Sequence, residues 1–224
     1  MEVAYIAPRI IYAKFNSKEH LCTALLRVVE YYENRRFHNK KVSYREYVKW
    51  YNDTKPAIDK PYNKSFFGMF LPGSYFRQFL KNYSLKDLTV NERDLIENLK
   101  KSIGNEFLKS RKRYGVIVGF EGIKSSTVKH ELSHAIAYLN PAYRKSINKL
   151  IKKIPKEELE KMRGAMRDIL KYPKEEIDEE IISRLIESIG LDRLFCRKQL
   201  GKKVRVSTRF RDELRNNLNS FLIN

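Results

Sequence analysis

The passage from residue 114 to residue 141, "YGVIVGFEGIKSSTVKHELSHAIAYLNP", constrains this chain more than any other stretch. Its first seven residues are rich in Val, Ile and aromatics and read as a strand. A short loop follows, whose Ser125, Ser126 or Thr127 can cap a helix that stops or turns at Asn140 and Pro141. On that helix His130 and His134 stand four apart, so their imidazoles project from one face and can reach a single ion. Glu131 lies about 100° round from His130, outside the ligand set but near a water that such an ion would hold. Ala135, Ile136 and Leu139 give the same helix an apolar side for burial. Only four histidines occur in 224 residues. Chance therefore gives this pattern in fewer than about one in a hundred chains of this composition.

A catalytic zinc site needs a third protein ligand and one position left open to water. No histidine follows His134, and Cys22 and Cys196 stand far apart without metal-type spacing, which leaves a carboxylate. The segment "EEIDEEIISRLIESIG" offers one. Its residues Ile177, Ile181, Leu185 and Ile189 form an apolar stripe, and Glu180 lies at the edge of that stripe, with small Ser183 permitting close helix approach. Glu179, flanking Ile182 and Ile186, is the alternative ligand, while Glu175 and Glu176 suit the first-turn dipole. Tyr138, one turn beyond His134, is a candidate donor to an oxyanion. His20 and His38 are expected at the surface, and both cysteines are expected to be buried thiols.

Around this passage the pattern is that of an α+β fold dominated by helices, with a small sheet. "VAYIAPRIIYAKF" reads as an opening strand bent at Pro8, and Ser17 caps a helix running through "SKEHLCTALLRVVEYYENRRF". "SYREYVKWYN" is a second helix, and residues 53 to 79, rich in Pro, Gly and aromatics, read as an ordered loop. "TVNERDLIENLKKSIGNEFL" is a third helix starting at Thr89, and three helical segments follow the two histidines before a "VRVS" strand and a last helix near 207 to 222. The expected organisation is a two-lobed domain over 1–190 and a basic extension over 191–224 packed on it. No apolar run is long enough for a membrane helix and the start is unlike a signal peptide, so a cytoplasmic location is expected.

The chain resembles the gluzincin zinc metallopeptidases, and among them the small soluble archaeal minigluzincins. The resemblance rests on "KFNSKEHLCTALLRVVEYYENRRFHNKKVSYREYVKWY", "LTVNERDLIENLK", "HELSHAIAYLNPAYR" and "IDEEIISRL", which together span most of residues 11 to 188. It implies a zincin-like fold in which His130, His134 and Glu180 bind Zn2+ and Glu131 is the general base. It also implies that "YGVIVGF" is the strand on which an extended peptide substrate lies, adding main-chain hydrogen bonds. The chain departs from the family at Ile182 and Arg184, where polar and aromatic residues are usual, and in "YNKSFFGMFLPG", which lacks the family's tryptophan.

A cytosolic peptidase of this kind is expected to be latent, through self-association or through occlusion of its cleft by "VRVSTRFRDELRNNLNSFLI", unless that segment is simply a structural cap. The formal charge of +19 supports an alternative, a basic nucleic-acid-binding protein with a structural or vestigial zinc site. The excess is spread evenly, +10 over residues 1–112 and +9 over 113–224, with the densest patch after Asp192 and no recognisable reading motif.

Overall fold

The computed structural model describes residues 1–33, 36–38, 40–54, 68–104, 113–120, 122, 125–168, 174, 176–187 and 208–221. The fold is α+β, and the chain forms two compact units, residues 1–123 and 124–224.

The first unit holds a four-stranded sheet made of β1 (Glu2–Ala7), β2 (Ile10–Lys14), β3 (Gly68–Pro72) and β4 (Gly115–Gly119). Its strand order is β1-β2-β4-β3, with β2 parallel to β4 and the other pairs antiparallel. Among the described residues four α-helices accompany it: α1 (Lys18–Glu33), α2 (Tyr44–Thr54), α3 (Gly73–Asn82) and α4 (Val90–Ile103). Ser17 caps α1 by accepting from the His20 amide at 3.1 Å, and Thr89 and Glu92 close a capping box on α4. Ile11, Ala13, Val116 and Val118 of the sheet join Leu21, Leu25, Phe76, Phe79, Leu95 and Leu99 of the helices in one core. Through the middle of this unit Arg27 forms a two-point ion pair with Glu92, at 2.8 and 2.6 Å, both side chains almost fully buried. A smaller cluster of Cys22, Leu26, Phe37, Tyr47 and Tyr51 packs beneath α2, which places Cys22 in a core as expected. Cys196 lies outside the described residues.

Three expectations change here. The opening strand is a hairpin: Ala7 pairs with Ile10 across a two-residue turn, Pro8 fixing one backbone angle and Arg9 adopting φ 63°. Positive φ at a residue without glycine's freedom gives little warning in sequence, so the reversal reads as a bend. The expected loop over 53–79 contains β3 and the start of α3, because paired strands are recruited by a partner 51 positions away (Gly68 with Gly119) rather than by local pattern. Third, β4 is flanked on both sides, by β2 and by β3, so its main-chain groups already serve the sheet. The strand expected to receive a peptide thus has no open edge; among the described residues the sheet's edges are β1 and β3. Helix α4 also ends earlier than its pattern suggests, at Ile103, where Gly104 takes φ 82° and terminates it. His20 is half-buried against the edge of Phe15, not a free surface residue, while His38 is exposed.

The second unit is helical: α5 (Ser126–Leu139), α6 (Pro141–Ile151), α7 (Lys156–Asp168), α8 (Ile177–Glu187) and α9 (Thr208–Ser220). Ser125 caps α5 through the Val128 amide. Asn140 ends α5 and at once caps α6, its side-chain oxygen accepting from the amides of Ala142 at 3.0 Å and Tyr143 at 3.3 Å, with Pro141 in the first turn. Replacing Asn140 with Ala removes both bonds, and an equilibrium urea titration is expected to show a loss of about 1 kcal/mol. Ile177, Ile181, Ile182, Leu185 and Ile186 bury one side of α8, and α5 is its most extensive partner. The last helix belongs to the same core: Leu214 and Leu218 are buried, and Asn217 donates to Ser146 at 2.9 Å. The "VRVS" segment lies outside the described residues. No helix among the described residues is long and apolar enough to cross a membrane.

Candidate metal centre

Two helices, α5 and α8, bring the centre together, and the local reason is spacing on each. His130 and His134 are one turn apart on α5, with ring centroids 4.9 Å apart. Glu180 and its neighbour Glu179 sit in the first turn of α8, beside the apolar stripe that docks α8 on the core. Ser183, fully buried one turn later, keeps the helix surface low where the two helices meet.

The resulting donor set is compact. His130 Nε2 and His134 Nε2 are 3.3 Å apart, Glu180 Oε2 is 3.1 Å from His134 Nε2, and Glu180 Oε1 is 3.5 Å from His130 Nε2. A tetrahedral ion with bonds of about 2.0–2.1 Å requires donor separations of about 3.3–3.4 Å. The two Glu180 oxygens face different imidazoles, and one donor atom from each of the three residues lies within 4.8 Å of the others, a spacing that can hold a small divalent cation; three protein donors leave one corner of a tetrahedron. His130 and Glu180 are buried and His134 is partly exposed.

Glu179, weighed as the alternative ligand, takes a different place. Its Oε1 lies 2.9 Å from His134 Nδ1, the ring nitrogen opposite the one that faces Glu180. With Nδ1–H donating to Glu179, the lone pair sits on Nε2, where the other donors converge. Adjacent glutamates thus hold opposite sides of one imidazole. Arginines stand behind both: Arg184 Nε is 2.7 Å from Glu180 Oε1, and a terminal nitrogen of Arg144 is 3.8 Å from Glu179 Oε2. Arg144 did not stand out in the sequence, where basic residues are abundant, and Arg184 did so only as a departure from the family that the chain resembles. A buried pair of hydroxyls, Ser133 and Tyr143 at 3.1 Å, ties α5 to α6 behind the histidines. Glu131 and Tyr138 occupy half-buried positions on α5, one directly after His130 and the other one turn beyond His134.

The charges interlock. Burial works against a protonated His134, but the hydrogen bonds to Glu179 and Glu180 and the charge of Glu131 outweigh it and hold its pKa well above the ordinary 6.5. Burial likewise works against ionised Glu180, yet His130, His134 and Arg184 hold its carboxyl far below the usual 4.5. In metal-free protein a proton on His134 therefore balances the carboxylates, and a metal has to displace it. The raised histidine contributes stability that is complete below pH 6.5 and is lost as pH rises toward its folded pKa. The depressed carboxyl contributes stability present above pH 4.5 and lost as pH falls. Chelator-treated protein is therefore expected to show its highest unfolding temperature between about pH 4.5 and 6.5. Added zinc, which needs the neutral ring, is expected to move that maximum upward; a profile that stays flat from pH 5 to 9 in both states would show the groups to be uncoupled.

No family model, curated protein or solved structure gives a significant match to this chain.

Proposed function

We propose that this protein is a zinc-dependent metallopeptidase that hydrolyses peptide bonds, with His130, His134 and Glu180 as the metal ligands and Glu131 as the general base. The observation that carries this reading is the convergence of two imidazole nitrogens and one carboxylate within 3.1–3.5 Å on two packed helices, with Glu131 beside the first histidine. A bound zinc ion supplies Lewis acidity and lowers the pKa of its water toward about 7. Glu131 accepts a proton from the attacking water and returns it to the leaving amine. Glu179 fixes the tautomer and tilt of His134, and Tyr138 is the candidate donor to the oxyanion. Because β4 already pairs on both sides, the peptide must be held other than by adding a strand to it.

The test is zinc content by elemental analysis on folded protein, paired with cleavage of an internally quenched peptide before and after chelation. One equivalent of zinc and hydrolysis that a chelator removes and zinc restores are the expected results. Folded protein that takes up no ion from a zinc solution would overturn the proposal.

A second reading draws on a different observation. In the first unit a recess of 620 Å³ is lined by Arg36, Lys40, Lys41 and Lys49 together with Phe37 and Trp50, with the carboxylates of Glu46 and Asp53 also on its wall. Cations beside aromatic rings are the ingredients of single-strand nucleic-acid binding. Salt-dependent retention on single-stranded DNA that Trp50→Ala and Lys49→Glu abolish supports this reading, and retention unchanged by either variant removes it.

A further inference from the structure

The pair formed by Glu180 and Arg184 is unlike the other ion pairs of its spacing. Lys161 and Glu157 are also four apart on one helix, 2.8 Å from each other, but that carboxylate is 83% exposed and the pair is an ordinary solvated one. Glu180 is 5% exposed and Arg184 18%. A guanidinium kept this close to a carboxylate in the protein interior, with two imidazoles on the carboxylate's other side, occupies a position that a cation-binding site would ordinarily leave clear of positive charge.

The contact is also specific to one oxygen. Arg184 Nε lies 2.7 Å from Oε1, an oxygen that is also 3.5 Å from His130 Nε2, while Oε2 approaches His134 Nε2 at 3.1 Å, so that without the guanidinium both oxygens face the imidazoles. A carboxylate facing a metal can bind through one oxygen or through both, and both would fill the coordination corner that a reactive water needs. The positive charge of the guanidinium beside Oε1 competes with a bound cation for that oxygen. It also draws negative charge away from Oε2, which leaves a bound cation a stronger Lewis acid.

We propose that Arg184 is a positioning residue that restricts Glu180 to one-oxygen ligation and so keeps the fourth coordination position open. The inference rests on the metal reading of His130, His134 and Glu180. It predicts that the arginine is dispensable for metal uptake and governs coordination number instead. Without it Glu180 turns both oxygens to the metal.

Cobalt(II) is the probe, because its visible absorption is intense when four-coordinate and weakens as coordination rises. Wild-type protein, Arg184→Ala, Arg184→Gln and Arg184→Lys are stripped of metal, checked for folding by circular dichroism and loaded with one equivalent of cobalt. Wild type is expected to give the intense band, and Arg184→Ala and Arg184→Gln to bind cobalt with a band several-fold weaker. Arg184→Lys, which retains a cation within reach of Oε1, is expected to recover much of the intensity. Glutamine keeps most of the arginine's bulk, so it carries the measurement if the alanine variant fails to fold. Cobalt bound by every protein with the same spectrum overturns the role of Arg184 and leaves the metal site standing. Wild-type protein that binds no cobalt removes the metal site and the inference with it.

Discussion

Glu131→Gln is expected to leave one equivalent of zinc in the protein and to lower the rate of peptide hydrolysis by about 10²–10⁴-fold, the usual contribution of a positioned general base. The separation of the two effects follows from geometry. Glu131 is not among the donor atoms that converge, which belong to His130, His134 and Glu180, so amidation removes a proton acceptor and leaves the ligands untouched. His134→Ala is the complementary case. It deletes a ligand and leaves Glu179 and Glu180 without the imidazole that both contact. Loss of zinc and of hydrolysis together is expected there, with metal-free stability falling as well because two carboxylates lose their shared partner. Elemental analysis and the same quenched-peptide assay read both variants. A Glu131→Gln protein retaining full turnover would end the proposed mechanism, whatever its zinc content.

The largest effect on stability is expected far from the proposed ligands in sequence, at Arg27. Its guanidinium is 3% exposed and Glu92 1%, and the two meet through paired contacts at 2.8 and 2.6 Å. The remaining donors of Arg27 go to the carbonyls of Val42 at 3.1 Å and Asp87 at 3.0 Å, and the Tyr83 ring lies 4.7 Å beneath it. Arg27→Met leaves a buried carboxylate and two carbonyls without that donor. A loss of about 3–5 kcal/mol in urea unfolding is expected, because the uncompensated charge costs more than the pair itself contributes. Removing both charges should cost less than removing one, so Arg27→Met with Glu92→Leu is expected to recover part of the loss. Recovery stays incomplete, since Glu92 also accepts from the Thr89 amide at 2.8 Å and helps start α4. A single-variant loss below about 1 kcal/mol would mean that water reaches this pair.

The pair was invisible to sequence reading for the same reason that several elements were. Arg27 and Glu92 are 65 positions apart, and each sits in a helix whose local pattern is satisfied without reference to the other. The helices themselves were legible. Ser17, Thr89, Ser125 and Asn140 act on amides two to three residues away, so their capping is a local property that composition displays. The hairpin was not legible because it turns on Arg9 at positive φ, and the pairing of β3 with β4 was not because it depends on a strand supplied from elsewhere.

The candidate site divides along the same line. The sequence by itself determined that His130 and His134 share a helix face with Glu131 beside them, because a helix converts a four-residue spacing into adjacency without outside help. It also narrowed the third ligand to two neighbouring glutamates at the edge of an apolar stripe. Only the tertiary structure set which of them lies beside the two Nε2 atoms. The docking of α8 on α5 sets which carboxylate faces Nε2 and which faces Nδ1, and it placed Arg144 and Arg184 behind them. Residues 179 and 180 differ by one step of rotation about α8, and that rotation is fixed by how its buried isoleucines seat in the core, a relation between helices that no local pattern contains.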